Sequence, residues 1–193
     1  MTIPSPTGTY NWIDPTTIQA DDQIIIVLVD DRVGLVGWFI KWWSAGEVKD
    51  HKSGSYNHVM LMRKNGMVVS QNGYLEEIPI SRYMKPSIFL KFWRLKNLTI
   101  AELAMINTAI DKRLALPRWK RGYDFLGLVG QSFPFLHWMQ VPGWFFCSEA
   151  TAFFIRQAQR FSWIPKQANP TDFDVLGKVH PEDVEVIGYY WQD

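Results

Sequence analysis

In His58-Val59-Met60-Leu61-Met62-Arg63-Lys64-Asn65-Gly66-Met67-Val68-Val69-Ser70-Gln71, two apolar runs flank a Lys-Asn-Gly segment. Asn-Gly readily supplies the positive φ angles of a tight turn, so the runs at 58–62 and 67–71 are expected to pair as an antiparallel hairpin. Side-chain alternation along the first strand puts His58, Met60 and Met62 on one face. Further strands are expected at 75–80, 88–95 and 184–190, giving a mostly antiparallel sheet. Residues 24–29 form a continuous β-branched and apolar run between Asp21-Asp22 and Asp30-Asp31, the pattern of a strand buried inside that sheet.

Helical spacing accompanies the strands. In residues 33–43 Val33, Val36, Ile40 and Trp43 make one stripe, and Leu35, Trp38, Phe39 and Trp42 another. Only Lys41 interrupts them, so this helix is buried all round or faces an apolar ligand or partner as well as the core. Thr99 with Glu102 three residues on is a capping box, and Ile100, Leu103, Ile106, Ile110 and Leu114 continue at helical spacing until Pro117. A basic stretch, Arg118-Trp119-Lys120-Arg121-Gly122, leads to Tyr123-Asp124-Phe125-Leu126-Gly127 and a short helix. A loop rich in Pro and aromatics, 133–144, then delivers a helix opening at Cys147, whose stripe of Cys147, Ala150, Phe154, Ala158 and Phe161 packs inward. Residues 170–177 precede the last strand with no element assigned to them. Pro4, Pro6 and Pro15 block regular pairing in residues 1–21, which read as an extended arm on a single domain at 22–193.

The net charge of +1, from 20 basic and 19 acidic residues, gives no general attraction to nucleic acid or anionic lipid, so a charged partner must be met locally. One cysteine excludes an internal disulfide and a cysteine-rich zinc site, and suits a reducing compartment. The first eight residues have no basic n-region or apolar h-region, and no apolar run approaches the roughly 20 residues that span a bilayer. The expectation is a cytoplasmic protein as synthesised, associated with a virion if phage-encoded. Aromatic residues make up 15% of the chain, ten of them tryptophan, which points to an apolar groove or a protein-partner surface.

The chemistry centres on Cys147, in Gly143-Trp144-Phe145-Phe146-Cys147-Ser148-Glu149-Ala150-Thr151. A thiol at a helix start gains from unpaired amides and the positive dipole end, which favour thiolate. Free cysteine is also among the most buried residue types, so a packed core position is the competing reading. His58 heads a strand and is the natural base. His51 and His180 lie in loops and His137 among aromatics. A third group should hold the imidazole, and the facing strand offers two: Ser70, favoured by spacing, and Gln71, favoured by its amide but needing a register shift. Without a histidine pair at i,i+4 or an accompanying carboxylate cluster, no metal or other cofactor is expected.

The segments at 24–43, Tyr56-Asn57-His58-Val59, Gly66-Met67-Val68-Val69-Ser70-Gln71, Tyr123-Asp124-Phe125-Leu126-Gly127 and Phe146-Cys147-Ser148-Glu149, in this order, resemble the circularly permuted papain-like thiol hydrolases. That group includes the permuted NlpC-type peptidases, the YiiX and YaeF proteins and lecithin:retinol acyltransferase. The resemblance spans roughly residues 20 to 190. It implies an α+β papain-like core with the His58 strand beside the Cys147 helix, and amide or ester acyl cleavage or transfer through a thioester. Two departures stand out: Ser70 or Gln71 where the family often has His or Glu, and Met60 where it often has a small residue.

The expected activity is that of a cysteine hydrolase, a peptidase or amidase, or an acyltransferase, with Cys147 as nucleophile, His58 as base and Ser70 or Gln71 as orienting residue. Helix-start amides, with Tyr123, Ser148, Tyr56 and Trp144, are the oxyanion or cleft candidates. The apolar flanks favour an acyl-lipid or hydrophobic peptide substrate, with cell-wall peptide as the competitor. The rival expectation is a catalytically weak or inactive fold serving as a binding or structural module, for example in a phage particle.

Overall fold

A computed structural model describes residues 11–31, 56–127 and 141–192. The helix expected over 33–43, His51, His137 and most of the aromatic loop lie outside the described residues, as does any continuation of the helical turn at 125–127. The architecture is α+β: six antiparallel strands with helices.

The strands are β1 (Ile25–Asp31), β2 (His58–Lys64), β3 (Met67–Asn72), β4 (Tyr74–Pro79), β5 (Ile88–Leu95) and β6 (Val184–Trp191), in sheet order β4-β3-β2-β1-β5-β6. The apolar run at 24–29 explains the centre of this sheet. β1 is central because it pairs with β2 on one side and β5 on the other, Val27 lying opposite Met60 and Phe92, and it is buried on both faces because each face carries a core. Its alternate residues then feed two separate cores. Ile24, Ile26 and Leu28 join Val59, Leu61, Val69, Trp93 and Leu95 on the helical side. Ile25, Val27 and Val29 join Met60, Met62, Val68, Leu90 and Phe92 on the other.

The helical side is covered by α1 (Ile100–Leu114) and α2 (Cys147–Ile155), with α3 (Pro170–Val179) against β1 and β6. α1 starts where the Thr99 hydroxyl accepts the Glu102 N–H and the Glu102 carboxylate takes the Thr99 N–H at 2.8 Å, the expected reciprocal cap. Ile106 and Ile110 are buried, whereas Ile100, the first residue of the helix, is 89% exposed. α2 carries the expected stripe: Cys147, Ala150 and Phe154 are buried, and Ala158 and Phe161 continue it through the turn beyond. α3 was not anticipated. Its signal is Asn169-Pro170-Thr171-Asp172, in which Asn169 Oδ1 accepts Asp172 N at 2.9 Å and Asp172 Oδ2 accepts Asn169 N at 2.8 Å, with proline at the first helical position.

Two buried cations tie the layers together. Arg63 on β2 pairs with Glu77 of β4 at 3.0 Å and Asp111 of α1 at 2.8 Å. Lys91 of β5 pairs with Asp174 of α3 while its ammonium lies 4.4 Å from the Trp93 ring centre.

The opposite face is covered by residues 11–20 and the turn at Ile80–Tyr83, with Ile13, Ile18 and Tyr83 packed on the second core. Ile13 N donates to Tyr189 O and Tyr189 N to Asn11 O, both at 2.9 Å, so this part of the arm straps along β6. The β2–β3 turn departs from expectation: Gly66 has φ +67°, but Asn65 is not in the positive region. Asn65 instead uses its side chain, accepting Ala20 N at 2.7 Å and donating to Asp21 at 2.8 Å, which anchors the strap's end.

The strap's fit supplies a test. A Cβ at Gly188 would lie 2.7 Å from Ile13 side-chain atoms. Gly188→Ala should therefore lower stability by about 1–3 kcal/mol through overpacking and increase proteolysis within residues 11–20. An unchanged melting temperature and cleavage pattern would show that the strap does not pack there.

Candidate functional site

The hairpin's alternation determines which third residue meets the imidazole. Leu61 pairs with Val69 and Met62 with Val68, so His58, Met60 and Ser70 share one face, and Val59 and Gln71 the other. Ser70 Oγ lies 3.0 Å from His58 Nε2. Gln71 turns away and donates its amide to the carbonyls of Gly122 at 2.8 Å and Arg121 at 3.2 Å. It anchors the Tyr123 segment and does not orient the imidazole. Tyr83, from the turn after β4, joins the cluster: its hydroxyl is 2.8 Å from Ser70 Oγ, and its ring stacks on the imidazole with centres 5.8 Å apart. Nothing in the local sequence pattern around Tyr83 marks this role, which comes from the chain folding back under β2 and β3.

Asn57 fixes the base of the site. It is buried, donates its side-chain amide to Asp31 O and accepts Asp31 N at 3.0 Å, holding the end of β1 beside the head of β2. Burial brings the His58 imidazole down to about 4, against the opposing pull of the Asp31 carboxylate.

Cys147 is the first residue of α2 and is buried. Its helix has no side-chain cap at Phe146, and the Phe146 backbone beside Glu149 in the first turn opposes the rise that burial gives this carboxyl. The backbone N–H groups of Val59, Ser148 and Cys147 and the Tyr123 hydroxyl are placed to stabilise a sulfur anion. Burial outweighs them and pushes the thiol up to about 11. The expected helix-start thiolate is therefore corrected to a neutral thiol.

Among the described residues no hydrogen bond joins Cys147 to His58. The thiol belongs to the core that contains Val59, while the imidazole stacks on Tyr83, which packs on the other core. The Val59 amide, which favours charge on the sulfur, is one residue along from His58. Nδ1 of His58 has no hydrogen-bond partner among the described residues.

The other cleft candidates fall around the thiol to different degrees. Tyr123 is held between the β3–β4 turn and residue 145, its N–H donating to Gly73 O at 2.8 Å, and burial raises its hydroxyl's pKa well above the ordinary value. Trp144 lies flat on Gly122, where an added Cβ would come within 2.7 Å of the indole. Ser148 is fully buried, and its Oγ has no hydrogen-bond partner among the described residues. Tyr56 packs in the helical-side core, 6.5 Å from the Phe89 ring. Behind the helix start, Asp124 is buried and accepts Gly127 N at 2.7 Å and Val141 N at 3.1 Å. Burial, reinforced by this carboxylate, raises Glu149 to about 7.

Away from this site, His180, Glu182 and Asp183 form the one cluster of metal-ligating side chains among the described residues. His180 stacks on Trp163, whose indole donates to Asp183 at 3.2 Å, and Asp183 also faces Arg160, so these side chains already serve the fold. No helix among the described residues is long and apolar enough to cross a membrane. No family model, curated protein or solved structure matches the chain.

The two shifted groups act on stability with opposite signs. The fold keeps a proton on Glu149 up to about 7 that an unfolded carboxyl loses near 4.5, so this group's contribution falls as pH rises through that window. The unfolded imidazole gains a proton near 6.5 that His58 in the fold takes up only near 4, so its contribution rises with pH over that interval. Glu149→Gln removes the first trend and leaves the second. Its melting temperature should climb from pH 4 to 6.5 more steeply than that of the wild type and exceed it above pH 7. Parallel curves would mean that the Glu149 carboxyl ionises as freely inside the fold as outside it.

Proposed function

We propose that the chain is a cysteine-dependent hydrolase or acyltransferase of the permuted papain-like kind, acting on an amide or ester acyl bond through a thioester. The observation that carries this reading is the set of donors gathered at one buried sulfur. A core cysteine behaves as a small apolar side chain and requires no donors. The backbone N–H groups of Val59, Ser148 and Cys147 and the Tyr123 hydroxyl all favour charge on the Cys147 sulfur, the kind of electrostatic support a nucleophile uses. His58 lies one residue from one of those amides.

In this reading the pair rests uncharged, with the thiol near 11 and the imidazole near 4, and the proton moves as the substrate is attacked. Proton transfer in this reading requires the imidazole to leave Ser70 and the head of β2 to shift, so that His58 reaches the sulfur and takes the thiol proton while the S–C bond forms. It returns the proton to the departing amine or alcohol. Water or a second acceptor then cleaves the thioester. The apolar surroundings favour acyl-lipid substrates or hydrophobic peptides, with cell-wall peptide as the main alternative.

A second reading has its own support. The depth of Cys147 and the seat of His58 on Ser70 and Tyr83 suit a fold retained as a binding or structural module. Mutants separate the two. Cys147→Ser and His58→Ala should each lower acyl transfer to a panel of ester and amide substrates by about three orders of magnitude, with the double mutant little worse than either. Additive losses, or turnover by the serine variant equal to that of the wild type, would contradict the paired mechanism. Gln71→Ala should cost about 1 kcal/mol of stability through its lost amide bonds. Ser70→Ala should instead change turnover, and calorimetry alongside steady-state kinetics distinguishes these effects.

A further inference from the structure

Five of the chain's 20 lysines and arginines fall within residues 112–121, and no acidic residue interrupts them. With a net charge of only +1 overall, the remainder of the chain is net negative. The cluster is Lys112, Arg113, Arg118, Lys120 and Arg121, and among the described residues none of the five forms an ion pair. Their other contacts are with aromatic rings and carbonyls. Arg118 lies 4.7 Å and Arg121 5.9 Å from the Tyr74 ring, Arg113 lies 4.8 Å from Phe145, and Lys120 lies 4.9 Å from Trp119. Arg121 also donates to Leu75 O at 2.9 Å, and Arg113 to Gly143 O.

Beside these cations the chain exposes large apolar side chains. Trp119 is 68% exposed, Phe125 52%, Leu126 49% and Phe153 40%. They are neighbours of the cations through the fold: Tyr74 bridges to Gly122, Tyr123 bridges to Phe145, Phe125 packs on Tyr123 and Phe153 on Phe145. A dispersed solvated face would mix acids with the cations and bury the phenylalanines.

We propose that this tract docks the protein onto an anionic lipid surface, with the cations at the phosphate level and Trp119, Phe125 and Leu126 in the headgroup–acyl boundary. Charge complementarity favours this occupant. The unpaired cations provide local attraction that a chain of net charge +1 otherwise lacks, and interfacial tryptophan beside lysine and arginine suits the boundary of a bilayer. Leu126 and Phe153 offer a polar polymer no hydrogen bond, and the Tyr74 and Trp119 rings already carry their own cations, which leaves them poorly disposed to stack on bases. Docking is independent of Cys147 chemistry and can be measured on Cys147→Ser protein.

The test is co-sedimentation of the full chain with vesicles of phosphatidylcholine alone and of phosphatidylcholine mixed with phosphatidylglycerol. Binding to the anionic vesicles alone, weakening as salt is raised, is expected. Arg118→Glu with Lys120→Glu should lower partitioning by at least about 20-fold, since each cation near the surface contributes about fivefold. Trp119→Ala should lower it at low and high salt alike, and circular dichroism should show all variants folded. Equal binding to both vesicle types, insensitivity to the charge reversals, or binding to heparin or single-stranded DNA without binding to vesicles would overturn the proposal.

Discussion

The pairing of β1 with both β2 and β5 is the constraint on which the rest depends. A strand from 25 to 31 with bonded neighbours on each side sends alternate side chains into two cores, and every covering element takes its place from one core or the other. The helices cover Ile26 and Leu28. The strap and the Ile80–Tyr83 turn cover Val27 and Val29. Because Val29 lies opposite His58, the same pairing fixes the head of β2, and Asn57 secures it by bonding the end of β1. A change of one residue in this register would exchange the contents of the two cores and move His58 to the helical side.

Burial governs the electrostatics at that junction. Helix-start amides and the Tyr123 hydroxyl favour charge on Cys147, yet the absence of nearby solvent counts for more, and the thiol stays protonated. The same desolvation keeps the imidazole neutral although Asp31 lies close by, and holds a proton on Glu149 near neutrality. At neutral pH Cys147 and His58 are thus both uncharged in the fold, and Glu149 keeps a proton about half the time. Charge on Cys147 or His58 develops at neutral pH only when a substrate or a change of conformation alters the surroundings, whereas Lys112, Arg118 and Lys120 are exposed and form no ion pair among the described residues.

Much of the fold is legible in local sequence because its signals are local. Thr99 and Glu102 cap α1, Cys147, Ala150 and Phe154 share a stripe, and the apolar run at 24–29 becomes a strand buried on both faces. Asn169 and Asp172 carried an equally local signal for α3, hidden by the proline between them, which suits a helix start as well as a loop. At the site, alternation was enough to favour Ser70, since a two-residue period places it on the face of His58 and turns Gln71 away. The roles of Tyr83 and Glu149 and the neutrality of Cys147 depend on which distant segments enclose them. No spacing rule encodes that enclosure.

The most direct measurement of the central claim is the rate of Cys147 alkylation by iodoacetamide as a function of pH, in the native protein and in His58→Ala. The account predicts slow reaction at neutral pH and a midpoint near 11 in the native protein, with little change when the imidazole is removed, because the resting thiol is neutral and is not paired with His58. A midpoint well below the free-cysteine value of about 8.5 that rises on removing His58 would contradict it, and would establish a resting thiolate–imidazolium pair.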